Sequence, residues 1–176
     1  MHDLFAYITL DKPPEDPAAR RLTGSRIVPG QTTIAAEFSG LIEQLLPGYS
    51  TAGSGEGGIV VRENYYGRPA LQTHPVSGTE PCRLTTSTTL PVADRIVLRL
   101  TVAAHEKGDW QLKVEVNGEL RHRSVVERRG GKVEWRDIEV DLSDFAGQPV
   151  TIGLVNQADN RRNEFAYWNA AEIVAE

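Results

Sequence analysis

The sequence predicts an all-β domain, an antiparallel β-sandwich, and three observations carry that prediction. From Ile59 to the end, short runs alternate apolar and polar residues, as strands with one buried face do. Turn chemistry separates the runs at short intervals. Asn117-Gly118 is the strongest hairpin signal, because both positions tolerate positive φ. Sixteen glycines and ten prolines among 176 residues suit a chain with many turns.

The first third reads differently. Leu4 to Leu10 has the pattern of a strand, and Pro13, Pro14 and Pro17 then remove ladder donors and impose a turn or linker. Phe38, Leu41, Ile42, Leu45 and Leu46 recur at helical spacing from Ala35 onward, with Gly40 weakening the run and Pro47-Gly48 closing it. Ser50 to Gly58 reads as a loop. Residues 1–56 are therefore expected to form an N-terminal extension with one short helix, packed on a sandwich of residues 57–176.

Strand then follows strand. Ile96, Leu98, Leu100 and Val102 share one face, as do Trp110, Leu112, Val114 and Val116 of the next run. The chain returns from Leu120 to Val126, turns at Arg129-Gly130-Gly131-Lys132, and resumes with Ile138, Val140 and Leu142. Ser143 is expected to cap one helical turn that Gly147 ends. Val150, Ile152 and Leu154 form a further strand, and a polar loop from Asn156 to Asn163 leads to the last one. The predicted core holds Ile96, Leu98, Leu100, Leu112, Val114, Val116, Ile138, Val140, Ile152 and Leu154, with Trp110 in phase with it.

Charge and motifs narrow the function. A net charge of −5 argues against phosphate attraction as a driving force, so nucleic acid is not an expected partner. No stretch reaches the length of a membrane span, and Met1-His2-Asp3-Leu4 lacks the basic start of a signal peptide. Cys82 is the single cysteine, which rules out an intrachain disulfide and a cysteine-rich zinc site. His2, His74, His105 and His122 are widely separated, and neither a nucleophile elbow nor a Walker loop is present. Asp137, Glu139 and Asp141 crowd one strand face. They are expected to meet Arg121-His122-Arg123 and Arg128-Arg129 if the two strands pair, and otherwise to be solvated.

The run from Trp135 to Ile152 combines a tryptophan, an acidic strand, Asp141-Leu142-Ser143, Phe145, Ala146-Gly147 and a closing strand. It resembles the late strands of galactose-binding-like jelly-roll domains. The hairpin from Trp110 to Gly118 and the segment Ala166-Tyr167-Trp168 are similar to that group as well. The resemblance covers residues 57–176. It implies a jelly-roll sandwich and a non-catalytic, carbohydrate-binding-like accessory module of a larger protein. Its partners would be a glycan and other domains of that protein, in an extracellular or cell-envelope setting. A structural or protein-interaction module is the alternative, and a glycosidase-like enzyme with two converging carboxylates stands behind both.

Sugar recognition needs a ring face for the C–H side of a pyranose and planar polar groups for its hydroxyls. Trp168, Tyr65 and Tyr66 are the expected rings, with Asn160, Arg162 and Asn163 as polar partners in the adjoining loop. Tyr167 and Trp168 point to opposite faces of an extended segment, so at most one belongs to the core of a regular strand. Trp135 shares parity with Asp137 and Glu139, and either lies at the surface or is turned inward by a bulge. No cofactor is expected. A structural Ca2+ is the one option, since Asp159, Asn160, Asn163 and Glu164 offer hard oxygen ligands without EF-hand spacing.

Overall fold

The computed structural model describes residues 19–22, 42–55, 57–158 and 163–176. The expected strand at Leu4–Leu10 and the proline segment after it lie outside them. Among the described residues eleven strands appear in chain order: β1 Ala19–Leu22, β2 Ser50–Ala52, β3 Ile59–Tyr65, β4 Arg68–Thr73, β5 Cys82–Thr89, β6 Ile96–Ala104, β7 Trp110–Val116, β8 Glu119–Val126, β9 Arg136–Asp141, β10 Pro149–Gln157 and β11 Ala166–Ala175. They form two antiparallel sheets. One is six-stranded in the order β1-β3-β4-β11-β6-β9, and the other is five-stranded in the order β2-β5-β10-β7-β8.

The alternation in the sequence becomes the core between these sheets. Strand β7 shows it most cleanly, with Trp110, Leu112, Val114 and Val116 buried and the residues between them half-buried. Opposite stand Ile96, Leu98, Leu100 and Val102 of β6 and Val140 of β9, while Ile152 and Leu154 of β10 complete the same layer. Ile138 packs against this core but is only partly buried. Removing so much apolar surface from water is the main driving force of the fold.

Turns obey local chemistry. Asn117 and Gly118 both have positive φ, 53° and 83°, as a two-residue hairpin joining right-twisted strands requires. The short turn at residues 143–145 is a 3-10 helix, and its first residue departs from expectation. Ser143 caps nothing. Its hydroxyl donates to Asp141 Oδ1 at 2.6 Å and accepts from the Ile96 amide at 3.0 Å, tying β9 to β6.

The segment before residue 57 contributes to both sheets. β1 pairs with β3, and β2 pairs with β5. Residues 42–45 are helical, the described part of the expected helix, and Leu45 and Leu46 are buried in the main core. The expected pairing of the basic hairpin with the acidic strand does not occur. β8 and β9 belong to different sheets, and β9 pairs with β6. Its carboxylates therefore meet other partners: Glu139 is bonded by Arg99 Nε at 2.9 Å and Arg95 Nη2 at 3.2 Å, and Asp137 accepts from Thr101 Oγ1 at 2.7 Å.

Candidate functional site

The expected ring Trp168 is not at a surface. Its side chain is fully buried between the sheets. It packs against Trp110 with ring centroids 4.9 Å apart and donates its indole N–H to Thr73 Oγ1 at 2.9 Å. Such a ring offers no face to a surface sugar, so its assignment as a ligand-binding group is corrected to the core. The cause is local. β11 has a bulge between Trp168 and Ala170, and an extra residue reverses which positions face inward. Trp168 faces the core before the bulge, Ala171 after it, and their opposite parity hides this in the sequence.

The residue on the other side of the strand is Tyr167, itself buried under neighbouring rings, and around it the structure assembles an aromatic patch on the outer face of the six-stranded sheet. Tyr65 stacks on Tyr167 nearly parallel, 5° between planes and 3.5 Å between centroids. Its hydroxyl donates to the Ala104 carbonyl at 2.9 Å. Trp135 meets Tyr65 edge-on at 6.2 Å, and Tyr66 meets it at 4.9 Å. His105 and Phe165 extend the array, with their rings 5.2 Å apart. His74 lies 4.5 Å beyond Phe165. Strand parity had placed Trp135 on this outer side, and it is partly buried there because Tyr65 covers it.

Tyr66 is the exposed member, 53% accessible. It sits at φ 47° in the β3–β4 turn, followed by Gly67 at φ 85°. Positive φ is uncommon for a bulky residue, and here two bonds hold it. Asn64 Oδ1 accepts from the Gly67 amide at 2.8 Å, and Trp135 Nε1 donates to the Tyr66 carbonyl at 3.2 Å.

Polar groups rim the patch. Tyr66 Oη reaches Glu106 Oε2 at 3.4 Å, and Arg68 lies over the Trp135 ring, 5.7 Å from its centroid. Arg62 lies 5.9 Å above Tyr167 and donates to Gln72 Oε1 at 2.7 Å. Asn163, at φ 56°, joins the same region through a 3.5 Å contact from Nδ2 to the Lys107 carbonyl, next to Glu106. Thus Tyr66 and Asn163 border one turn, residues 105–108, and Tyr65 bonds to Ala104 just before it, while Asn160 and Arg162 lie outside the described residues. Burial pushes the Tyr167 hydroxyl up to about 12 and raises that of Tyr65 as well, so both rings stay neutral.

Beyond His74 the array runs into a cleft of about 290 Å³ that Ser77, Ala158 and Glu164 help to line. Behind it, Asn156 is wholly buried and donates to the carbonyls of Thr73 and Glu164 at 3.2 and 3.1 Å. Its Oδ1 has no partner among the described residues. Of the oxygen groups considered for calcium, Asp159 and Asn160 lie outside the described residues and Glu164 is buried. Among the described residues, no three acidic, histidine or cysteine groups converge as a metal site.

Sequence reasoning missed Arg68 and Glu106 at the rim, and Tyr167 as the buried ring on which Tyr65 stacks. Only the bulge could have turned Tyr167 rather than its neighbour to this face, and the pairing of β3 with β4 and of β6 with β11 brings the other two to the rings.

No protein-family model matches the chain, and no curated protein matches it. Solved structures do. TmCBM61, determined in complex with β-1,4-galactotriose, superposes with a TM-score of 0.50 at 15% identity, covering 73% of this chain and 88% of that one. The K1 cleaved adhesin domain of Lys-gingipain from Porphyromonas gingivalis W83 gives 0.52 at 16% identity, over 73% and 91%. The Stig cyclase Fisc from Fischerella sp. TAU gives 0.50 at 12% identity, over 74% and 85%. The chain has the two-sheet antiparallel sandwich fold found in carbohydrate-binding modules and cleaved adhesin domains.

Proposed function

We propose that the protein is a non-catalytic carbohydrate-binding accessory module whose site is the outer aromatic patch. The observation that carries this is Tyr66, a half-exposed ring fixed at positive φ beside Trp135, Tyr65, Arg68 and Glu106. A ring packed edge-on against Tyr65 on a fixed turn loses less side-chain entropy when a sugar stacks on it. Glu106, Arg68 and Asn163 supply acceptors and donors for hydroxyls within reach of the rings. That TmCBM61 shares the fold and was solved with a galactotriose supports a glycan as the ligand class.

A non-catalytic role is part of this reading: glycoside hydrolysis uses a pair of carboxylates, and among the described residues the 290 Å³ cleft is lined by one, Glu164. The shared fold with a cyclase makes the activity assay a necessary control.

A shallow, partly hydrated patch of this kind binds at about millimolar to micromolar affinity, roughly −4 to −8 kcal/mol. The test is a glycan array that includes β-1,4-galacto-oligosaccharides, followed by calorimetry on Tyr66→Ala. The expected result is binding lost at least about tenfold with an unchanged unfolding midpoint. Full-strength binding by the variant would place the site elsewhere. Hydrolysis of a bound glycan by the purified chain would refute the non-catalytic reading.

A further inference from the structure

We propose that the edge of β11 over residues 170–175, which has no strand partner among the described residues, is a docking site for an extended peptide that alternates apolar and basic side chains. Strand β11 lies inside its sheet only in part. β4 pairs with it over Ala166–Trp168, whereas β6 pairs with it to Ala175. From Ala170 onward, one side of β11 has no strand partner among the described residues.

The ladder shows which backbone groups this leaves open. Arg95 and Glu176 exchange both backbone hydrogen bonds, at 3.3 and 2.9 Å. In an antiparallel pair, residues then alternate between bonded and non-bonded positions. Val174, Glu172 and Ala170 therefore turn their amides and carbonyls towards β6, while those of Ala175, Ile173 and Ala171 point away from it. Three successive donor–acceptor sets face outward in register, the template to which an added strand bonds.

That edge borders a cleft of about 630 Å³ between the sheets, lined by Ala171, Ile173, Tyr49, Thr86 and Thr88 among others. Ile173 pairs with Leu98, a fully buried core residue, yet is itself 36% exposed. The sandwich gapes here. The Tyr49 hydroxyl at the cleft is buried and without a hydrogen-bond partner among the described residues. An added strand would place every second side chain in this gap, against Ile173, Ala171 and Tyr49, where apolar groups are favoured.

Its alternate side chains would lie on the outer face beside Glu172. This carboxylate forms no ion pair among the described residues, because Arg95 and Arg99 are both engaged by Glu139 and Glu176. A lysine or arginine opposite it would form a favourable cross-strand pair, and the net charge of −5 favours the same sign of partner. The edge itself also carries little of the charge and none of the proline that protect an edge against pairing. β8 carries Arg121 and Arg123, and β9 carries Asp137, Glu139 and Asp141, whereas residues 170–174 hold one charge and no proline.

The test uses the whole chain and three synthetic octapeptides: acetyl-(Val-Lys)4-amide, acetyl-(Val-Glu)4-amide, and the lysine peptide N-methylated at its four valines, whose amides would face β11. Amide hydrogen exchange is followed by NMR. The lysine peptide should slow exchange at Ala171, Ile173 and Ala175 at least about tenfold, and the glutamate peptide should bind about tenfold more weakly. The N-methylated peptide should not bind, and Glu172→Lys should reverse the charge preference. Ile173→Pro should abolish docking while the β6 ladder survives, since its amide faces away from β6. Should that variant not fold, the N-methylated peptide decides the same point. Equal binding of all three peptides, absence of protection at those amides, or protection of them by a neutral oligosaccharide instead would overturn the proposal.

Discussion

Replacing Trp168 with alanine tests the assignment of this ring to the core. The side chain is fully buried, packs on Trp110, and donates to Thr73 Oγ1. Truncating a buried tryptophan costs about 3–5 kcal/mol in lost transfer free energy and cavity formation. Loss of the indole–hydroxyl bond, which leaves the buried Thr73 oxygen with fewer donors, adds about 1 kcal/mol. The sum, about 4–6 kcal/mol, is a large part of the roughly 5–15 kcal/mol that holds an ordinary domain folded. At about 2–4 °C per kcal/mol for a chain of this size, the unfolding midpoint should fall by roughly 10–20 °C. Trp168→Phe should lose about 1–3 kcal/mol, because the ring is retained while the N–H and some volume are lost. Urea titrations followed by far-UV circular dichroism measure both. A loss below about 1 kcal/mol for the alanine variant would refute the burial, most of all if glycan binding disappeared with the fold intact.

Other consequences are sharper than they are large. Burial pushes the Cys82 thiol up to about 11, so about one thiol in a thousand is ionised at pH 8; Ellman's reagent should react only as fast as the domain unfolds, and rapid native labelling would contradict this. Gly118→Ala should destabilise by about 1 kcal/mol in chemical denaturation, since φ is 83° there, while a neutral outcome would mean the turn relaxes. The Glu176 carboxyl is held below the usual range by hydrogen bonds and charge from Arg95 and then Arg99. A depressed folded pKa contributes stability above the ordinary carboxylate pKa and loses it as pH falls through the folded value. The acid limb of a thermal-stability profile should therefore flatten in Glu176→Gln, while an unaltered acid limb would show the pair to be idle.

What the sequence determined by itself is the set of strands, their inward faces and most of their turns. Alternation at Trp110–Val116 and Ile96–Val102 has period two, and burial of one face follows from that period with no knowledge of partners. Asn117-Gly118 is equally local, for positive φ is a property of the residues that occupy it. Tyr66 was legible as an accessible ring because a turn-rich segment exposes what it carries, whereas Tyr65 is partly buried by stacking on Tyr167. Only the tertiary structure decided who pairs with whom. Arg95 and Arg99 lie some forty residues before Glu139 and reach it because β9 crosses to the sheet that holds β6. The exchange of Trp168 for Tyr167 has the same origin. A bulge is a mismatch in length between two paired strands, and neither strand contains it alone. The edge of β11 left open among the described residues likewise depends on pairing, for β4 bonds to β11 only as far as Trp168 while β6 follows it to Ala175.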